Sequence, residues 1–394
     1  MTRLLLTGLT LTSLLLVSSC TPERPPSSRI IDLAAPDGTG LKATYFAAAA
    51  PGPGVLLLHQ CNRQRKVWDA LAGQLSAAGL NVLTLDLRGF GESSGARFDA
   101  SAPADAQALR QKWPADIDVA FQYLSSQPGV TRDVIGVGGA SCGVDNSVQT
   151  ARRHPEQVKS LVLLSGSADL AGRQFLRQAK QLPVLAAVAD DDEFRETVDL
   201  MPWVFSLSPS PAKRFVHYDR GGHGSDMFGV HPELQREIVD WYVATLKTPG
   251  SAPAAREPSF ALPPSTEILT LLDQPGGARE AQRKLAEARR SNPAAIIFPE
   301  AIVNIIGYEH LQTGDVEGAV EIMDLNVTAF PQSPNAHDSL ADALLAAGQK
   351  DRARRSATRA LELLASDTSE PPARRTLIRE SAEQKLTQLG VKPK

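Results

Sequence analysis

The chain has 394 residues, room for two or three domains. Its 42% hydrophobic and 22% charged residues are ordinary globular composition, which excludes a disordered, collagen-like or polytopic membrane chain. Lys plus Arg number 41 against 44 Asp plus Glu, so no basic excess draws a polyanion, no nucleic-acid partner is expected, and three cysteines make neither a disulfide scaffold nor a zinc site.

Residues 1–19 read as a signal peptide. Arg3 supplies one positive charge, and the apolar run 4–17 is too short to span a bilayer comfortably. The segment ends in Ser18-Ser19-Cys20, which resembles a bacterial lipobox. That resemblance implies lipidation of Cys20 and a stable membrane anchor carried by several acyl chains. Thr21, and not Asp, follows; among sorted lipoproteins this implies an outer-membrane location facing the periplasm where the cell has two membranes. The plainer alternative is a secretory signal cut near Ser19, with Cys20 incidental. Residues 20–28 are a polar, Pro-rich tether.

From 29 to 247, short apolar runs alternate with amphipathic stretches. Runs 30–34 and 41–48 flank the turn Asp37-Gly38-Thr39-Gly40 and predict an antiparallel pair. Strands are then predicted at 55–59, 81–87, 133–137, 158–164, 184–188 and 214–218. Helices are predicted at 66–78, 116–125, 141–153, 170–181 and 232–246. Repeated strand–helix–strand units imply an α/β fold with a doubly wound, mostly parallel sheet, and chemistry belongs at the carboxyl ends of its strands.

Residues 248–265 are rich in Pro, Ala and Ser and read as a linker. The remainder, 266–394, is all-α in character. Ile306, Gly314 and Ala319 recur as Leu340, Gly348 and Ala353 at a spacing of 34, while Pro331 is answered by Ala365. This period resembles the tetratricopeptide (TPR) repeat and implies a helical-repeat domain that takes a protein partner. Segments 266–291 and 372–389 are expected to be degenerate or capping helices.

Gly139-Ala140-Ser141-Cys142-Gly143 lies between a predicted strand and a predicted helix, the setting of a G-x-S-x-G nucleophile elbow. The turn is so tight that both flanks must be glycine. A Cys142 nucleophile would need glycines at 140 and 144, where Ala140 and Val144 stand; Ser141 satisfies both flanks. Of seven histidines, His223 sits in the Gly-rich loop after the last predicted strand, where the base of this chain order belongs. His217 lies inside that strand and reads as packed, and His231 opens the last helix and reads as exposed. Asp86-Leu87-Arg88-Gly89-Phe90-Gly91-Glu92-Ser93 follows the second predicted parallel strand.

With that loop, the ordered motifs resemble the alpha/beta-hydrolase family, nearest to its dienelactone hydrolase-like and small serine esterase-like members. The resemblance covers 29–247. It implies a Ser-Asp-His triad of Ser141, Asp192 and His223, with Asp191 as the alternative acid and Asp169 a weaker one. It implies backbone oxyanion donors at Cys142 and Cys61; Gln60 stands where the family often has Gly. It implies no cofactor and no metal. Cys61 and Cys142 are the thiols left once Cys20 is lipidated, and in an exported protein they either pair beside the active site or diverge as free thiols. Trp203, Phe205, Met227 and Phe228 are candidates for a pocket wall or for plain core. With no large insertion between 164 and 182, an open site and a small or extended ester are expected. The expected function is a secreted, membrane-anchored serine hydrolase acting on an ester or other small acyl substrate. The alternatives are an idle hydrolase-fold scaffold whose repeats bind a protein, and a serine peptidase.

Overall fold

The computed structural model describes residues 27–248, 261–368 and 370–391. The signal segment with Cys20, most of the tether and most of the linker lie outside the described residues. The strands are β1 Ser27–Ala34, β2 Gly40–Ala47, β3 Gly52–Leu58, β4 Asn81–Asp86, β5 Val130–Ala140, β6 Val158–Leu164, β7 Val184–Ala189 and β8 Lys213–Tyr218. They form one sheet in the order β1-β2-β4-β3-β5-β6-β7-β8. The β1–β2 hairpin joins antiparallel to β4, and every other pairing is parallel. The helices of this part are α1 Asp69–Ala77, α2 Pro103–Arg110, α3 Trp113–Ser126, α4 Cys142–Arg153, α5 Leu170–Gln178, α6 Glu196–Ser206, α7 Met227–Val230 and α8 Pro232–Tyr242. This order, with β2 alone running against the other strands and β4 crossing over to lie outside β3, is the alpha/beta-hydrolase fold.

The continuous apolar run of β3 follows from having both faces covered. Val55 and Leu57 enter one core with Trp68, Leu71, Trp241 and Tyr242. Leu56 and Leu58 enter the other with Ile117, Phe121, Val144 and Val148. In β5, Gly136 and Gly138 make room for the buried Tyr242: a Cβ at either would come within 2.6–2.7 Å of its ring or hydroxyl.

Helices α2 and α6 are absent from the sequence prediction. Pro202 interrupts the helical pattern inside α6. Of the residues open between pocket wall and plain core, Trp203, Phe205 and Met227 are fully packed core side chains. Phe228 is half-buried against the Trp68 ring.

The C-terminal part is all-helical: α9 Ser265–Leu272, α10 Gly277–Ser291, α11 Glu300–Gln312, α12 Val316–Ala329, α13 Pro334–Ala346, α14 Lys350–Leu364 and α15 Pro372–Gln388. The 34-residue spacing has a packing cause. Ile306 and Leu340 are buried in α11 and α13, and Ala319 and Ala353 in α12 and α14. Gly314 and Gly348 end α11 and α13 with φ of 87° and 71°, conformations that favour glycine. This part packs on α5 and α6. Leu200, Trp203 and Leu207 share a core with Ile268, Leu269, Leu272 and Ile302. The buried Arg173 reaches across to Asp273 at 2.7 and 2.9 Å and to Glu309 at 2.7 Å. No helix among the described residues is long and apolar enough to cross a membrane.

Candidate active site

Ser141 joins β5 to α4 with φ 53° and ψ −120°, a backbone conformation L-residues rarely adopt. The chain accepts it because its flanks carry no side chain. A Cβ at Gly139 would lie 2.0 Å from the Gly143 carbonyl oxygen, and one at Gly143 would lie 2.3 Å from that of Leu58. The Ser141 N–H donates to the Leu164 carbonyl at 2.9 Å, holding the turn against β6. Gly166 lets the bulkier Val144 fit, since a Cβ there would come within 2.6 Å of the valine. The hydroxyl thus stands at the N-terminal, positive end of α4.

His223 lies on the loop after β8, between Gly222 and Gly224 at φ 71° and 58°. It is 2% exposed, and its Nδ1 lies 2.9 Å from both carboxylate oxygens of Asp192, which is 1% exposed. A carboxylate only accepts, so Nδ1 carries a proton, and Nε2 is the nitrogen left to face a substrate. The loop reaches the elbow, because a Cβ on Gly224 would lie 3.0 Å from that of Ala140.

The alternative acid, Asp191, engages the backbone of the loop and not the imidazole. Its carboxylate accepts from the N–H groups of Gly221 and Gly222 at 2.8 Å each, clamping the His223 loop from outside. These bonds, that of Gly222 foremost, hold its carboxyl below the usual range. One residue of register separates the two roles. Asp169 caps α5, accepting from the Gly172 N–H. His217 is half-buried, with Nε2 2.8 Å from Asp190. His231, expected to be exposed, is half-buried: its ring stacks on Tyr218 at 3.6 Å and both its nitrogens have partners.

Cys142 opens α4, where a helix leaves its first N–H groups without an internal acceptor. Cys61 lies on the loop after β3, and the two cysteines form a disulfide with Cα atoms 5.9 Å apart. His59 orients this loop. Its Nε2 accepts from the Leu87 N–H at 3.1 Å, so its Nδ1 is the donor to the Gln60 carbonyl at 2.8 Å. With that carbonyl fixed, the trans peptide turns the Cys61 N–H to the opposite side. Burial pushes the His59 pKa down and keeps the ring neutral. Beneath lies the 86–93 loop, where Asp86 pairs with the buried Arg65 and accepts from the Glu92 N–H at 2.9 Å. Arg88 bridges Asp116 and Asp37.

Phe194 escaped the sequence reading, and Gln60 entered it only as a departure from the family pattern. Phe194 is 47% exposed and its ring lies 4.5 Å from the His223 ring, forming a lip over the imidazole. Gln60 is fully buried and binds the His223 loop. An open cavity of about 740 Å³ begins at Cys61 and is bordered by Val67, Phe90 and Phe98. Among the described residues, Asp190, His217 and Asp219 bring three cation-ligating atoms within 4.8 Å of one another, although His217 already engages Asp190.

The family model described as "Serine aminopeptidase, S33" matches residues 50–191. Uncharacterized proteins from two strains of Mycobacterium tuberculosis are each 32% identical over 148 residues, covering 37% of this chain and 48% of theirs. The chain thus spans about half the length of the curated relatives it matches. Among solved structures, it is similar to the dienelactone hydrolase of Anabaena variabilis, at 19% identity and a TM-score of 0.46, over 57% of this chain and 100% of that one. A Pyrococcus furiosus esterase is similar at 16% identity and a TM-score of 0.43, over 55% and 92%. DcsB, solved with a substrate analogue, is similar at 15% identity and a TM-score of 0.47, over 56% and 99%.

Proposed function

We propose that the chain is a serine hydrolase acting on carboxylic esters through an acyl-enzyme. The observation that carries the reading is a buried His223–Asp192 pair, 2.9 Å apart, on a loop that packs on Ala140, the residue before a serine held in a strained turn. In this reading His223 Nε2 takes the proton of Ser141 as its hydroxyl attacks the acyl carbon. Asp192 holds the Nδ1 tautomer and stabilises the imidazolium. The N–H groups of Cys142 and Cys61 receive the oxyanion. His223 then protonates the leaving alkoxide, and water releases the acyl group by the same route. The open cavity beside Cys61 suits a small or extended acyl compound.

A peptidase is the second reading, favoured by the serine aminopeptidase description of the matching family model. The same groups would cleave an amide, and p-nitrophenyl esters compared with aminoacyl amides separate the two. We further propose export with lipidation at Cys20 and a protein partner on the C-terminal repeats. The Cys61–Cys142 disulfide supports export, since such bonds persist in oxidising compartments. The experiment that tests enzyme against scaffold is fluorophosphonate labelling. Label on the wild type that vanishes in Ser141→Ala supports the enzyme, whereas folded wild type that takes no label supports an idle scaffold.

A further inference from the structure

We propose that Gln60 is a positioning residue that sets the catalytic histidine and the oxyanion loop in one common frame; this rests on the serine-hydrolase reading above. Gln60 follows β3, and its side chain is fully buried. Its Oε1 accepts from both the N–H and the hydroxyl of Ser225, each at 2.8 Å. Its Nε2 donates to the His223 carbonyl at 3.3 Å. The amide therefore grips the base loop on both sides of Gly224. That glycine is required there twice over, by its φ of 58° and because a Cβ would come within 2.6 Å of Gln60 Oε1.

The backbone of the same residue serves the other half of the site. The Gln60 carbonyl lies 2.8 Å from His59 Nδ1 and accepts from the Arg63 N–H at 3.0 Å. This fixes the peptide that carries the Cys61 N–H. Through the disulfide, Cys61 is joined to Cys142, the neighbour of Ser141. One circuit thus runs from the nucleophile through Cys142, Cys61 and Gln60 to His223. A glycine at 60 would leave the oxyanion loop and the base loop to be positioned separately. A buried amide held by three hydrogen bonds favours a single geometry, and a base displaced by about 1 Å costs a large factor in rate.

The test compares Gln60→Ala, Gln60→Glu and Ser225→Ala by hydrolysis of p-nitrophenyl acetate and by the low-field NMR resonance of the His223 Nδ1 proton. Circular dichroism confirms folding. A glutamate at 60 keeps the two bonds accepted from Ser225, which hold the loop beyond Gly224. Gln60→Ala is expected to lose on the order of 100-fold in kcat with little change in KM, and its Nδ1 resonance should broaden or move. Gln60→Glu should recover most of the kcat and restore the resonance, with Ser225→Ala in between. The inference is overturned if folded Gln60→Ala keeps the wild-type kcat and resonance, or if Gln60→Glu is as impaired as Gln60→Ala. Loss of the hydrolase reading has a different signature: turnover would persist in Ser141→Ala, while the Nδ1 resonance still reports on the clamp.

Discussion

Asp191 and Asp192 are chemically identical neighbours, and the structure separates them by direction. Asp192 is buried on His223 Nδ1, while Asp191 is exposed and holds two backbone N–H groups of the loop. Asp192→Asn should lower kcat by about 10⁴-fold, because an amide can present its N–H and stabilise the wrong imidazole tautomer. Asp191→Asn should leave kcat within roughly tenfold and act mainly on the thermal midpoint, since it loosens two neutral-to-charged hydrogen bonds. Steady-state kinetics on the two variants check the division; equal losses would contradict it. Ser141 and His223 are legible in the sequence because glycines mark tight turns through local sterics. The acid is less so, because a one-residue register inside Asp190-Asp191-Asp192 leaves no local trace.

At the scale of elements, the site is an assembly of loop ends tied to one another. The Cys61–Cys142 disulfide joins the β3 loop to the start of α4 across 81 residues of sequence. Closing a loop of that length stabilises the folded chain by roughly 4 kcal/mol in the chain-entropy account. Reduction by a dithiol, which takes up the bond as its own disulfide and leaves two cysteine thiols, should lower the thermal midpoint and the kcat together. Calorimetry and ester hydrolysis before and after reduction read both, and an unchanged midpoint would contradict the account. The alternation of strand and helix was legible because apolar runs and amphipathic stretches repeat along the chain. Helix α6 was not: Pro202 breaks its pattern, and its apolar face packs on α9 far along the chain, where Trp203 Nε1 donates to Thr270. For the same reason Trp203 stayed open between pocket wall and plain core until its partner was visible. Gln60 was read as a departure from a family pattern because its bonds go to residues about 165 positions away.

The whole molecule is held together by charge as well as by apolar packing. Arg173 places its guanidinium over the Trp203 ring at 4.6 Å and binds Asp273 and Glu309 of the helical part. Arg173→Met would take the guanidinium from Glu309 and leave Asp273, fully buried in side chain, with Arg177 at 2.8 Å. A loss of about 1–3 kcal/mol is expected, read by denaturant unfolding. Nearby, burial and then the Asp169 carboxylate raise the Asp145 pKa from 3.8 to about 7. Between those values the folded chain holds a proton that the unfolded chain has released, so this group makes stability fall as pH rises from about 4 to about 7. Asp145→Asn should flatten that slope in thermal melts taken across the range; an identical slope in the variant would contradict the assignment. The most direct measurement of the central claim is mass spectrometry of the protein quenched during turnover of a p-nitrophenyl ester. The acyl group should be found on Ser141, trapped by the quench before water releases it. An acyl group on any other residue, or turnover without acylation of Ser141, would contradict it.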